Sequence, residues 1–205
     1  NKPTKKLDLR YKCKECNKNA VIPFVRIAAL ESIMVVASAA LWPESYSPLK
    51  TGKNWKQFKE SWTNPPNYVY DTNILGSDGD WWYFNLLAHG ILGSELYLAA
   101  RDWGYRPVTA GLFAIYTSFV WEYMVEGWFR LPSTVDLFWT PLAGILIGEL
   151  RFLGVKAAYK IKNQRVSLLV RIMLNPLGEL ERTIMSCRIP HHPQKPKITN
   201  KYTEN

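Results

Sequence analysis

Ionisable side chains recur inside the apolar middle of this chain, at spacings that place them on common helix faces. Asn85 and His89 are four residues apart, as are Glu122 and Glu126, and residues at this spacing lie on one side of a helix. An ionised group is costly in hydrocarbon, so we expect these side chains to turn inward and to meet Asp136. Two adjacent carboxylates cannot both ionise easily, so beside a histidine they can exchange protons with a substrate.

The candidate catalytic set is His89, Glu122, Glu126 and Asp136. In a hydrolase, either glutamate would be the general base, the histidine its acid–base partner, and the aspartate would orient the histidine. Three further polar residues are predicted to belong to the same buried network: Asn85, Ser118 and Glu149.

Structural roles are an alternative for each of these residues. Ser133 and Asp136 have the spacing of a capping box. In this motif the serine caps the start of a helix, and the acidic side chain accepts a hydrogen bond from a free backbone N–H group. Glu126 has Arg130 as its i+4 neighbour, and Glu149 has arginines near it at the membrane boundary. A lone histidine such as His89 is often a hydrogen-bonded core residue. Both interpretations remain open at the level of sequence.

The elements that must position these residues are apolar segments of nearly bilayer-spanning length. A helix needs about 20 apolar residues to cross a bilayer, and four segments come close: 20–42, 81–100, 107–125 and 134–153. Short turns join the last three, which makes neighbouring helices antiparallel. Gly144 and Gly148 form a small-residue pair suited to close helix contact. Buried helical hairpins in a soluble protein would give a similar pattern.

We therefore predict an all-α fold, a membrane-embedded or membrane-associated bundle of about four to five helices with an extended linker and polar tails. The predicted divisions are a basic polar tail (1–18), an apolar helix (19–42), an aromatic-rich extended linker (43–80), a helical core (81–182) and a basic, proline-containing tail (183–205). The first of these lacks the apolar stretch of a secretory signal peptide.

Charge is distributed unevenly along the chain. The formal net charge is +9, and the basic excess lies at the two ends, around a slightly acidic middle. Basic ends of this kind suit anionic lipid headgroups or an acidic partner, and they are also compatible with solvated tails. Nucleic acid is not predicted as a partner, because the basic runs lack a recognisable binding module.

Cysteine spacing suggests one candidate metal site. Cys13 and Cys16 form half of a zinc knuckle, which Cys187 and His191 would complete. A disulfide in an oxidising compartment, or free thiols in flexible tails, are the alternatives. We predict no cofactor beyond this candidate zinc ion, because the chain carries no phosphate loop, nucleotide fingerprint or haem motif.

Four runs resemble an uncharacterised bacterial family, domain of unknown function 3943: WYFNLLAHGILGSELYLAARDWGY, SFVWEYMVEGWF, LPSTVDLFWTPLAGILIGEL and LNPLGELER. The resemblance covers about residues 80–182. The matching motif positions are Asn85, His89, Arg101, Trp121, Glu122, Glu126, Ser133, Asp136, Pro141, Gly144, Gly148 and Glu149. The family usually has His-Pro where this chain has His89-Gly90. A weaker likeness extends to VanZ-like small membrane proteins.

The resemblance implies a protein of the Gram-negative envelope, in the outer membrane or on its periplasmic side. Two classes of function fit the residues. The favoured one is a structural or accessory subunit of an envelope membrane complex, whose partners are lipid and other envelope membrane proteins. The alternative is a membrane-embedded hydrolase that acts on an envelope lipid or polymer by carboxylate and histidine chemistry. Whether the protein is an enzyme stays open at this level.

Overall fold

The structure, a computed structural model, describes residues 19–46, 54–70 and 73–185, together with the backbone of two short strands. The described part is largely helical, which confirms the all-α prediction. The helices are α1 (Val21–Leu41), α2 (Pro43–Tyr46), α3 (Asn54–Thr63), α4 (82–101), α5 (Pro107–Trp128), α6 (Thr134–Ala158), α7 (Gln164–Leu174) and α8 (Pro176–Ile184). The strands β1 (Lys14–Glu15) and β2 (Cys187–Arg188) pair in parallel.

Three helices are long and apolar enough to cross a membrane: Val21–Leu41, Pro107–Trp128 and Thr134–Ala158. Their length and composition support the predicted membrane association. Helix α4 packs against both α5 and α6, which also contact each other, and it completes the core of the bundle.

Glycines set the distance between α4 and α6. A Cβ atom on Gly144 would overlap the backbone of Gly93, and one on Gly148 would overlap the Tyr97 side chain. Small residues let two helix backbones approach closely. The predicted small-residue contact at Gly144 and Gly148 is therefore confirmed, with α4 as the partner helix.

The helices run up and down, so the bundle has two chemically different ends. At one end, Tyr46, which follows α1, donates a hydrogen bond to Glu126 near the end of α5. At the other end, Arg26 near the start of α1 pairs with Glu95 and Asp102 near the end of α4. We call these the acidic end and the arginine end.

Candidate active site

Two π-helical turns and one helix start bring the predicted catalytic residues together at the acidic end. The π turn Asn85–His89 lies within α4, and the π turn Trp121–Val125 lies within α5. Both adjoin the first turns of α6, which begins at Thr134. π turns are rare and occur frequently at functional sites. Because a π turn contains an extra residue, the side chains of His89 and Glu122 point in different directions from those they would have in a regular α-helix.

His89 and Asp136 form a buried pair. The His89 Nδ1 atom lies 3.0 Å from Asp136 Oδ1 and 3.2 Å from Thr140 Oγ1. His89 is 8% exposed and Asp136 is fully buried. The aspartate therefore fixes the orientation of the imidazole ring, and the acid–base role of His89 stays a prediction.

Glu122 is fixed beside this pair by the start of α6. Its carboxylate accepts a hydrogen bond from the backbone N–H of Ser133 at 2.8 Å. Ser133 is the N-cap of α6, as predicted, because its side chain accepts from the backbone N–H of Asp136 at 3.1 Å. In a complete capping box, the Asp136 carboxylate would accept a hydrogen bond from the backbone N–H of Ser133. Here Glu122 accepts that hydrogen bond, and the Asp136 carboxylate contacts His89 instead.

Arg130, in the turn between α5 and α6, is the cation of the site. Its Nε lies 2.6 Å from Glu126 Oε1, and another guanidinium nitrogen donates to Asp80 at 2.8 Å. Burial alone would lower the pKa of Arg130, but the charges of Glu126 and Asp80 hold it above its usual value. Glu126 also accepts hydrogen bonds from Tyr46 (2.6 Å) and Trp121 (3.1 Å). The side chains of Tyr46, Trp121 and Arg130 therefore fix the position of the Glu126 carboxylate.

Sequence reasoning missed two aspartates of this site. Asp78 and Asp80 lie in the segment assigned to the linker, just before α4. Asp78 is buried and accepts hydrogen bonds from the Asn85 amide at 2.9 and 3.0 Å and from the Ser133 hydroxyl at 2.8 Å. The available signal was two acids flanking Gly79 directly before a helix that carries Asn85.

We call Asp78, Asp80, Glu122, Glu126 and Asp136 the carboxylate cluster. Among the described residues, the only guanidinium that pairs with these five carboxylates is that of Arg130, and His89 is the other basic group in contact. The cluster therefore carries a surplus of negative charge.

A small cleft, with an interior volume of about 10 Å³, lies beside the cluster, between α1 and the core helices. Its lining residues are Glu31, Met34, His89, Leu92, Leu96, Ser118, Trp121, Glu122 and Thr140. The predicted network residue Ser118 lies on this wall, with its hydroxyl 3.4 Å from the Asp136 carbonyl oxygen. Glu31, which sequence reasoning did not select, faces the same space from α1. The arrangement places an imidazole ring and a carboxyl group at the polar side of a largely apolar opening.

Glu149 does not join the cluster. It accepts hydrogen bonds from Arg101 at 2.9 Å and from Tyr97 at 2.7 Å at the arginine end. The sequence carried this signal, because Glu149 lies thirteen positions after Asp136 on one helix, a distance of about 20 Å.

The arginine end holds a second, charge-balanced set of ion pairs. We call it the arginine network, and its members are Arg26, Arg151, Arg171 and Arg182 with Glu95, Asp102, Glu179 and Glu181. Asn175 donates to both carboxylate oxygens of Asp102, at 3.0 and 2.8 Å. Four guanidinium groups thus meet four carboxylates, as expected of a structural network.

The candidate zinc ligands fall outside this description. Cys13, Cys16 and His191 are not among the described residues, and only the backbone of Cys187 is described.

Two family models match the chain. The model of a domain of unknown function, DUF3943, matches residues 74–177, just over half of the chain. It is the family that the sequence motifs resemble, and the weaker likeness to VanZ-like proteins is not supported. A model of ribosomal protein L44 matches residues 1–32. No curated protein and no solved structure matches the chain.

Proposed function

We propose a catalytic function for this chain, which belongs to the DUF3943 family: it is a membrane-embedded hydrolase that acts on a lipid or lipid-linked molecule of the bacterial envelope. One observation carries the proposal. The cleft brings His89, oriented by Asp136, and Glu122 to a small opening whose remaining walls are largely apolar and also include Glu31, Ser118 and Thr140. Substrate sites usually combine apolar walls with a few convergent polar groups, and the proposed reaction requires α1 to move away from the core so that this small cleft widens around a substrate.

His89 is the general base of the proposed reaction, because contacts with Asp136 and Thr140 engage its Nδ1 atom and leave Nε2 for the cleft. Nε2 takes a proton from water, and the hydroxide attacks the carbonyl carbon of an ester. The carbon–oxygen bond to the leaving alcohol then breaks, and the leaving oxygen takes a proton from the Glu122 carboxylic acid. The proton on His89 returns to Glu122, which restores both side chains.

Glu126 has a supporting role in this proposal. Its carboxylate already has Tyr46, Trp121 and Arg130 as partners, and it does not line the cleft. Burial and the Glu126 charge raise the pKa of the Tyr46 phenol, so Tyr46 stays a hydrogen-bond donor.

The form of the cleft favours a substrate that enters from the bilayer. The apolar walls include Met34, Leu92 and Leu96. The buried residues of α1 are confined to its first two turns, at Pro23, Arg26 and Ile27. The helix is thus buried at the arginine end and more exposed along the cleft, and movement of α1 away from the core at that point would admit an acyl chain.

The experiment compares matched variants in nanodiscs made from total bacterial lipid extract, with products followed by mass spectrometry. We expect His89→Gln and Glu122→Gln to lower the hydrolysis rate by about 10²- to 10⁴-fold, the usual effect of removing a general acid or base. Glu149→Gln, in α6 but outside the cluster, is the matched control and should retain activity. Absence of any product from the wild-type protein, or an equal loss in Glu149→Gln, would contradict the hydrolase.

A structural or accessory subunit is the second candidate, and an exposed aromatic surface favours it. Phe58 of α3 stacks on Trp128 at 4.3 Å between ring centroids, and Trp55 stacks on Phe58 at 5.7 Å. Trp55 is 59% exposed and Trp62 is 48% exposed. Exposed aromatic side chains of this kind suit docking onto another envelope membrane protein or the membrane interface.

The subunit role predicts loss of co-purifying proteins from native membranes in a Trp55→Ala/Trp62→Ala variant. His89→Gln should leave the same partners bound, because His89 lies inside the bundle. An identical set of co-purifying proteins in all three preparations would count against this role.

We also propose a bacterial envelope membrane as the location, with the outer membrane or its periplasmic side favoured by the family resemblance. The three apolar helices support a membrane position and do not distinguish between membranes. Density-gradient separation of inner and outer membranes tests the choice, and recovery in the inner-membrane fraction would overturn the outer-membrane assignment.

A further inference from the structure

We propose that the acidic end binds a divalent cation between Asp78, Asp80 and Asp136. This inference adds a cofactor to the hydrolase site and rests on the proposed function only for the cation's role in catalysis. Binding itself is measurable without a substrate.

The three aspartates have the spacing of a cation site. One carboxylate oxygen from each lies within 4.8 Å of the other two. Oxygen ligands bind Ca²⁺ at about 2.3–2.6 Å, so two oxygens on opposite sides of one ion are about 4.8 Å apart. The observed spacing is therefore compatible with three oxygens on a single ion.

Three buried oxygens at this place lack a hydrogen-bond donor among the described residues. Asp136 is fully buried and neither carboxylate oxygen accepts a hydrogen bond: Oδ1 has the ion contact with His89 at 3.0 Å, and Oδ2 lies 3.9 Å from the Arg130 guanidinium. Asn85 is also fully buried, and its Oδ1 atom has no partner while its amide nitrogen contacts Asp78. Buried polar atoms are normally satisfied, so these oxygens point to a group that accepts electron pairs.

The net negative charge of the carboxylate cluster also supports a bound cation. The arginine network matches each carboxylate with a guanidinium group. In the cluster, Glu122 is the neutral acid of the proposed reaction, and the four remaining carboxylates share Arg130 and His89. Unpaired buried charge is strongly destabilising. A divalent cation would remove much of this surplus, and it would leave Asp136 Oδ1 in contact with His89.

The donor atoms select the class of ion. Carboxylate and carbonyl oxygens favour Mg²⁺, Ca²⁺ or Mn²⁺, whereas zinc sites usually contain thiolate or imidazole ligands. Asp136 would then touch both the cation and His89, so the ion would sit beside the base of the proposed reaction.

The experiment uses the full chain in detergent and the luminescence of Tb³⁺, with Mg²⁺, Ca²⁺ and Mn²⁺ as competitors. Trp81 and Trp82 directly follow Asp80 and are suited to sensitise a nearby Tb³⁺ ion. We expect saturable binding that weakens by about tenfold or more in Asp80→Asn and Asp136→Asn. Glu149→Gln, which removes a carboxylate at the other end, should bind as the wild type does.

Asp80→Asn is the deciding variant if Asp136→Asn fails to fold, because the Asp80 side chain is 32% exposed. Equal affinity in all folded variants, or no saturable binding at all, would overturn the cation site. His89→Gln separates this inference from the hydrolase. It should still bind Tb³⁺ while losing hydrolysis, so either result can fail without the other.

Discussion

At the scale of single residues, the two ends of the bundle use similar side chains for different purposes. Asp102 meets the guanidinium groups of Arg26 and Arg182, each at 3.0 Å, and the amide of Asn175. Asp136, equally buried, has one oxygen near His89 and one without a donor. A fully paired carboxylate stabilises a fold, whereas an incompletely paired one is available to a ligand or a substrate.

Removing Asp102 should therefore destabilise the protein strongly. Asp102→Ala would leave Arg26 and Arg182 buried without this partner, and breaking a buried pair costs about 3–5 kcal/mol. Glu60→Gln is the control, because Glu60 pairs with exposed Lys56 at 3.7 Å and such surface pairs contribute about 0–1 kcal/mol. Unfolding in mixed micelles measures both variants. Equal stability of the two would refute a structural role for the arginine network.

At the scale of elements, the close approach of α4 and α6 positions His89 opposite Asp136 and Thr140. Apolar length and short turns were sufficient to predict these helices, and the glycine spacing predicted where they touch. The π turns were not predicted, because i, i+4 spacing assumes a regular helix. Whether a helix accommodates an extra residue in one turn depends on neighbouring helices, which local sequence does not specify.

The helix crossing gives a second prediction. Gly144→Ala should destabilise the bundle by about 1–3 kcal/mol, the usual cost of overpacking, because the new Cβ would overlap the Gly93 backbone. It should also lower hydrolysis by separating His89 from Asp136. Gly76→Ala is the control, since its Cβ would lie 3.9 Å from the nearest atom, the Trp82 backbone nitrogen. Comparable unfolding of Gly144→Ala and wild type would contradict the close contact.

At the scale of the whole molecule, charge is polarised along the bundle. The end of α6 and the start of α7 carry Lys156, Lys160, Lys162 and Arg165, while the opposite end carries the carboxylate cluster. Basic loops remain on the cytoplasmic side of a membrane. In a membrane that borders the cytoplasm, the arginine end should therefore face inward and the candidate active site should lie toward the other side.

If gradient separation recovers the protein with the inner membrane instead of the favoured outer membrane, thiol labelling in whole cells tests this orientation. In a chain with its three cysteines replaced by serine, Lys162→Cys should react with a membrane-impermeant maleimide only after the membrane is opened. Trp55→Cys, at the acidic end and exposed, should react beforehand. The reverse order would show the opposite orientation.

The sequence by itself determined the helical class, the position of the apolar segments, the glycine contact, the cap at Ser133 and the family. These depend on local pattern and spacing, which a single chain displays directly. Only the tertiary structure decided which acids meet. Asp78 and Asp80 belong to the carboxylate cluster although they lie in a segment outside the apolar helices. Glu149, which the sequence predicted to join His89, instead pairs with Arg101 at the other end of the bundle. Contacts between distant segments depend on how helix faces pack, and that packing sets both the surplus charge and the cleft beside His89.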